Sequence, residues 1–394
     1  MASRPFGILV LNQISRSGLD RLPAGSYVVG KDVAAPDAIL VRSADMHGLT
    51  LAPSVLAVAR AGAGTNNIPV KALSARGVPV FNAPGGNANA VKELVLAGML
   101  MAARNLAPAQ RFVAGLDIKQ ANLDQAVEEG KKAFAGFELA GQTLGVIGLG
   151  KVGCLVADAA IKLGMQVMGY DPDITVDAAW SLPAQVKKAA SVNDVLKNSQ
   201  FVSVHVPLLD ATRHLVNAVN LKLLRPEAIL LNFSREGVVD DAAVVQALAA
   251  RQLGWYVCDF PHAGILANPH VIALPHLGAS TREAEDNCAA MVADQLREFL
   301  EQGNIRNAVN FPQVDMARES PWRVAIANAN VPNMLGQIST AMANAGLNIH
   351  NMVNKSRGDM AYTLVDVDSA VKDDLLDALR AIAGVLSVRY LPSA

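Results

Sequence analysis

Cysteine is scarce in this 394-residue chain: Cys154, Cys258 and Cys288 are odd in number and lie far apart. That pattern excludes a disulfide scaffold and a cysteine-based metal centre, and it fits a reduced, cytoplasmic compartment. Neither sign of charge is in excess, with 34 Lys and Arg against 35 Asp and Glu. No basic footprint points to nucleic acid or to an anionic membrane surface. Long apolar runs are missing as well; the longest, 94–103, falls short of the ~20 residues that span a bilayer. No charged segment followed by an apolar one opens the chain, so no secretory signal is expected. What is abundant is apolar residues: 52% hydrophobic against 18% charged argues for sizeable cores and against disorder. At ~150 residues per domain the length suggests two or three domains.

Continuous apolar runs at 7–12, 38–42, 55–59 and 78–82 suit parallel strands buried on both faces. A helix is expected between the last two, from Pro69 to Arg76, with Gly77 just past its end. A long helix follows over 88–104. Further strands are expected at 144–147, 166–170, 201–206, 228–233, 255–260 and 271–274, separated by helix-like segments in the doubly wound pattern. A second long helix opens at Ser280-Thr-Arg-Glu283, a capping box in which hydroxyl and carboxylate each satisfy an orphan N–H, and runs to 302. Residues 303–321 are polar, carry Pro312 and Pro321, and read as a linker. After them the order is strand, helix, strand, strand, helix, strand, with Leu335, Ile338, Met342 and Ala345 striping the first helix. The expected fold is therefore α/β: two Rossmann-like doubly wound parallel-sheet domains plus a C-terminal ferredoxin-like βαββαβ domain.

Gly148-Leu-Gly-Lys-Val-Gly153 follows a strand and opens a helix, and Asp171 ends the next strand 18 residues beyond Gly153. In that context G-x-G-x-x-G reads as a dinucleotide loop. The first glycine allows a tight turn, the second lets backbone approach a pyrophosphate, and Gly153 permits close helix–strand packing. The helix N-terminus offers unpaired N–H donors to the anion. Asp171 suits ribose hydroxyls and would repel a 2′-phosphate, which favours NAD over NADP as the cofactor. The alternative is a glycine turn beside a surface aspartate.

Ligands of an open α/β sheet meet the carboxyl ends of its strands. The later strands end on Pro207, on Ser234-Arg235, on Pro261-His262 and on Pro275-His276. His276 lies between a strand end and a helix start, where an imidazole can take a proton from a substrate hydroxyl. Arg235 can hold a carboxylate in its planar fork. A structural role for His276 and a surface role for Arg235 are the competing readings. His205, inside an apolar strand, reads as a satisfied core residue, while His214, His262 and His350 read as surface or loop residues.

These residues resemble the D-isomer-specific 2-hydroxyacid dehydrogenases over essentially the whole chain. The resemblance rests on Val41-Arg-Ser43, Ala61-Gly-Ala-Gly64 with Asn66-Asn67-Ile68, Asn82-Ala-Pro84 and Gly148 to Gly153. It rests equally on His205-Val-Pro207, Asn232-Phe-Ser-Arg235 with Val239-Asp240, and Pro275-His-Leu-Gly-Ala-Ser-Thr281. The tail is similar to an ACT module. The resemblance implies a substrate domain at 1–90 and 285–312, an NAD domain at 91–284, a linker at 313–321 and an ACT-like regulatory domain at 322–394. It implies His276 as the acid/base and Arg235 as the substrate-orienting arginine. Gly148, Gly150, Lys151, Val152, Gly153, Asp171, Pro207, Thr212, Ser234 and Asp259 would hold NAD, and Arg42, Ser43 and Asn87 would face the substrate. The attached module favours 3-phosphoglycerate, oxidised to 3-phosphohydroxypyruvate on the way to serine, with Arg42 on the phosphate, in a homodimer or homotetramer.

Two departures stand out. The family places a glutamate shortly after Asp259-Phe-Pro261 to orient the histidine, and this chain has His262-Ala-Gly there. His276 therefore either recruits Asp259 or works without a carboxylate. In the tail, Asn330-Val-Pro332 and Asn348 match the effector loop and the following strand. Asn333 replaces the usual glycine, and Asn328 stands where serine-sensing modules carry histidine, so an amino-acid effector is an open expectation. Other readings are a hydroxypyruvate or glyoxylate reductase on the same scaffold, and a non-catalytic NAD sensor.

Overall fold

The short apolar runs at the start of the chain become parallel strands because nearly every side chain in them is removed from water. In the computed structural model, which describes residues 4–117 and 122–393, they are β1 (Phe6–Leu11), β2 (Tyr27–Gly30), β3 (Ala38–Val41), β4 (Ala57–Arg60) and β5 (Val80–Phe81). Their order is β2-β1-β3-β4-β5, parallel throughout. All four residues of β3 are buried, as a central strand covered on both faces requires. The sequence signal missed β2, whose four residues carry no alternation and run into Lys31 and Asp32.

The chain divides into two units, Met1–Asn87 with Arg282–Ala394, and Ala88–Thr281. The breaks fall three residues before the expected 90/91 and 284/285. In the second unit lie β6 (Thr143–Ile147), β7 (Gln166–Tyr170), β8 (Lys187–Lys188), β9 (Phe201–Val204), β10 (Ile229–Asn232), β11 (Trp255–Cys258) and β12 (Val271–Ala273). The order β12-β11-β10-β9-β6-β7-β8 is that of a doubly wound sheet whose direction reverses between β6 and β9. The Ala88–Ala103 helix lies on this sheet at Gly98, where a Cβ would stand 2.9 Å from Val257 and 3.1 Å from Phe233. Helices Leu106–Ala114 and Leu123–Gly130 bury no side chain fully, so no core-facing stripe announced them.

The last strands are β13 (Trp322–Ala329), β14 (Ile349–Arg357), β15 (Met360–Val367) and β16 (Val385–Pro392), antiparallel in the order β14-β15-β13-β16. With helices Met334–Asn344 and Asp373–Arg380 they complete the ferredoxin-like plan. Met334, Ile338 and Met342 form the buried stripe of the first helix; Leu335 and Ala345, expected in that stripe, are exposed. β13 is buried on both faces. Val324 and Ile326 meet the module's own helices, whereas Ala325 and Ala327 join Phe81, Phe299 and Phe311 in the core of the first sheet.

That second face overturns the linker reading. Ile305, Phe311 and Val314 are fully buried and Met316 nearly so, and Ile305 and Val314 exchange backbone hydrogen bonds. The prolines and asparagines of 303–321 obscured four apolar residues that anchor the segment. The capping box is also out of register. The long helix spans Arg282–Gln302, because Ser280 stays in a turn, its N–H bonded to the Leu277 carbonyl.

Candidate active site

The glycine loop shows three different reasons for glycine. Gly148 adopts φ +92°, and a Cβ there would meet the His205 carbonyl oxygen at 2.7 Å. A Cβ on Gly153 would stand 2.0 Å from the Gly148 oxygen, so the Lys151–Lys162 helix packs on the turn through hydrogen alone. At Gly150 a Cβ would meet nothing within 4 Å. Packing does not demand that glycine; open space in front of a helix N-terminus with no side-chain cap is what a pyrophosphate needs. Lys151 and Val152 form the first turn behind it. We expect Gly150→Ala to melt like wild type yet bind NAD at least tenfold more weakly, about 1.4 kcal/mol. Gly153→Ala should lose about 3 kcal/mol of stability or more from overpacking; NAD titration and thermal melts check both.

Asp171 follows β7 and accepts the Leu149 N–H at 2.8 Å and the Asp173 N–H at 3.0 Å. A carboxylate has about four acceptor positions, so two remain for a ribose diol. Beside it lies a cavity of about 400 Å3 lined by Leu149, Tyr170, Ile174, Leu182, Val186 and Ala189, among others. Its apolar walls suit a flat heteroaromatic base. Residues 174–190 were not singled out from sequence, since they belong to short helices and turns without a motif.

On the other side of the switch point the strand ends carry the polar groups. Pro207 follows β9, and Thr212 closes the same loop, its hydroxyl donating to the Pro207 carbonyl at 2.6 Å and accepting the Leu209 N–H at 2.8 Å. Thr212 thus builds the loop. His205 is held by Ser203 at 2.8 Å, and burial pulls its pKa down to about 4. Between pH 6.5 and 4 the folded state therefore binds fewer protons at His205 than the unfolded state, and acid favours unfolding. Stability should fall by about 3 kcal/mol across that window, and His205→Gln should flatten the dependence in urea titrations.

After β10, Asn232 shapes the turn: its Oδ1 accepts the Ser234 hydroxyl at 2.9 Å and its Nδ2 donates to the Arg235 carbonyl at 3.0 Å. Asn232 is 2% exposed, and it was legible only as part of the motif around Arg235. The Arg235 guanidinium donates to the Ser234 carbonyl at 2.6 Å and has no carboxylate partner among the described residues. Arg235 is exposed, and the N–H donors it does not spend on Ser234 can meet an incoming carboxylate in the fork geometry.

After β11 comes Asp259, 1% exposed. Its two oxygens accept the N–H groups of Leu277 and Gly278, both at 2.7 Å. Burial raises its pKa, and the two amide donors together with nearby His276 pull it partly back. The expectation that Asp259 could orient the imidazole is corrected here. The aspartate grips the backbone after His276, and the ring itself packs edge-on against Phe260, centroids 5.2 Å apart. His276 is exposed and sits at φ +56°, a left-handed conformation that costs a non-glycine residue of order 1–3 kcal/mol at strained sites. Two hydrogen bonds to a buried carboxylate hold it there. Arg235, Asp259 and His276 thus follow three adjacent strands, which at ~4.8 Å per strand places them across roughly 10 Å of one sheet edge. His262, read as a loop residue, pairs with Asp241 at 2.8 Å and accepts the Gly264 N–H.

In the first unit a cavity of about 410 Å3 is lined by Asn12, Gln13, Lys31, Arg42 and Ser43. Arg42 is half-buried and bonded to Glu285 at 2.6 Å. Lys31 has no ion-pair partner among the described residues and was missed because β2 was missed. Asn87 is the partly buried residue just before the Ala88–Ala103 helix. In the tail, Asn330 and Asn348 are exposed. The Asn330 amide donates to the Gly358 carbonyl, and the Asn348 N–H to Asp368.

Residues 96–278 match the family model of the D-isomer specific 2-hydroxyacid dehydrogenase, NAD binding domain. A D-3-phosphoglycerate dehydrogenase of Escherichia coli (strain K12) is 32% identical over 341 residues, 83% of this chain and 79% of that one. Another, of Haemophilus influenzae, is 31% identical over 409 residues, 96% of this chain and 95% of that one. The solved NAD+-bound 3-phosphoglycerate dehydrogenase of Entamoeba histolytica shares the fold, with a TM-score of 0.61 at 23% identity over 78% of this chain and 99% of that one. The chain belongs to the NAD-dependent D-isomer-specific 2-hydroxyacid dehydrogenases.

Proposed function

We propose that this dehydrogenase oxidises 3-phospho-D-glycerate to 3-phosphohydroxypyruvate. The observation that carries the reading is the likeness to D-3-phosphoglycerate dehydrogenases, which extends from the first sheet through the ferredoxin-like tail. The cavity of the first unit supports it: Lys31, with no ion-pair partner among the described residues, suits a phosphate that simpler 2-hydroxy acids lack, and Arg42, paired with Glu285, lines the same space. Arg235 holds the substrate carboxylate and polarises the neighbouring C2 oxygen. His276 takes the C2 hydroxyl proton on oxidation and returns it on reduction. Asp259 acts on the histidine's loop, through the Leu277 and Gly278 amides. The residues around Gly150 and Asp171 fit NAD, whose chemistry when bound is to accept the hydride from C2.

The ferredoxin-like tail is read as an ACT-type regulatory module, with Asn330 and Asn348 at the effector position, and the enzyme as a homodimer or homotetramer of the cytoplasm. Following NADH absorbance with 3-phosphoglycerate, with and without L-serine, tests both parts. Turnover should depend on the phosphate and fall at least tenfold in Lys31→Ala. Equal or faster turnover of hydroxypyruvate or glyoxylate, unaffected by that substitution, would replace this reading with the reductase. NAD binding without any substrate-dependent NADH would leave a sensor.

A further inference from the structure

A second cationic cavity, of about 200 Å3, lies within the first unit where the ferredoxin-like module meets the first sheet. Arg76, Gly77, Phe299, Tyr362, Ser387 and Arg389 line it, and none of its described lining residues is acidic. The walls touch closely. Gly77 sits at φ +71°, and a Cβ there would lie 2.8 Å from the Ser387 hydroxyl and 3.0 Å from Leu386.

Two guanidinium groups line this space, and neither has a carboxylate partner among the described residues. Arg389 lies over the Phe299 ring, 4.5 Å from its centroid, and donates to the Phe299 and Leu300 carbonyls at 3.1 and 2.9 Å. Arg76 donates to the Leu51 and Ala52 carbonyls at 3.5 and 2.8 Å. Burial lowers the Arg389 pKa, and Tyr362 and Asp37 partly offset it; Asp37 is already held by the Arg4 fork and the Gly7 N–H. The C-terminal carbonyls of the long helix supply about half a negative charge, which does not balance two cations.

Each guanidinium has five N–H donors and spends two on these carbonyls, leaving three apiece. Their planar forks match tetrahedral oxyanions. The cavity's volume of about 200 Å3 is many times the ~10–15 Å3 that admits one water, enough for a phosphate or a short phosphorylated acid. We propose that this cavity binds a phosphate group, free or at the end of a small metabolite, and that the bound anion joins the module to the first sheet.

Calorimetric titration of the full chain with inorganic phosphate at constant ionic strength tests this. The Lys31→Ala variant serves as background, so that the substrate cavity is weakened. Saturable binding is expected, with Kd at least tenfold weaker in Arg76→Gln and no detectable binding in Ser387→Glu, which supplies the anion internally. Circular dichroism of the anion-free variants controls for folding. No binding in the parent, or equal binding in both variants, overturns the site. Repeating the titration with 3-phosphoglycerate separates the sources: tighter Arg76-dependent binding assigns a phosphorylated acid, and weaker binding assigns free phosphate.

Discussion

His276→Asn should lower kcat by roughly 10²–10⁴-fold, the range typical of losing a positioned acid/base, while the Kd for NAD stays within a factor of two or so. The reason is the division of labour along the sheet edge. The Gly148–Gly153 loop and Asp171 lie at the ends of β6 and β7, and they do not depend on the loop after β12. Asparagine also tolerates the left-handed backbone at φ +56° better than most residues do, so the variant isolates the loss of the imidazole from a loss of loop geometry. Asp259→Asn makes the complementary case. It keeps the imidazole but sets an amide NH2 against one of two backbone N–H donors. A loop shift of about 1 Å at a reacting group can cost 10²-fold, so kcat should drop by about that much. Steady-state and NAD-binding measurements on both variants decide the matter. Full activity in His276→Asn would end the acid/base assignment, and an unchanged Asp259→Asn would show that the loop holds itself.

The second large effect concerns the fold. Arg323 and Asp366 form an ion pair whose side chains are both 0% exposed, with contacts at 2.6 and 2.9 Å. The remaining guanidinium N–H groups donate to the carbonyls of Gln302, Met316 and Ala317 at 2.9–3.0 Å. Asp366 in turn accepts the Glu319 N–H. One residue thereby fastens the end of the long helix and the 303–321 segment to β13 and β15. Asp366→Ala leaves a buried cation unpaired and should cost about 3–5 kcal/mol, a large share of a typical 5–15 kcal/mol. Replacing a whole buried pair with apolar residues is often neutral. Here Arg323→Met with Asp366→Leu would still orphan three carbonyls, each worth about 1–3 kcal/mol if left dry. The double variant should therefore stay at least ~2 kcal/mol below wild type in urea unfolding. A double variant as stable as wild type would refute the anchoring role of those carbonyls.

Individual elements show why some features could be read in advance and others could not. The cofactor loop was legible because its chemistry is local: turn, helix start and acid lie within 24 residues, from Gly148 to Asp171. β3 and β9 were legible because an apolar run buried on both faces needs no partner to be noticed. Lys31 was not, since β2 is a four-residue strand whose place is fixed by β1 beside it. Asp259 was noticed but given two incompatible roles, and only the hydrogen bonds to Leu277 and Gly278 select the positioning of a loop.

Sequence alone determined the doubly wound nucleotide unit, the glycine loop with Asp171 at the end of the next strand and the βαββαβ tail, because each follows from the spacing of residues close together in the chain. Tertiary structure alone decided that 303–321 is core, that Arg42 is tied to Glu285, and that two arginines more than three hundred residues apart, Arg76 and Arg389, share one cavity. The physical reason is that burial and electrostatic neighbours depend on which distant surfaces meet. Alanines such as Ala325 and Ala327 give no sign of the partner they will face until the strand has two sides to cover.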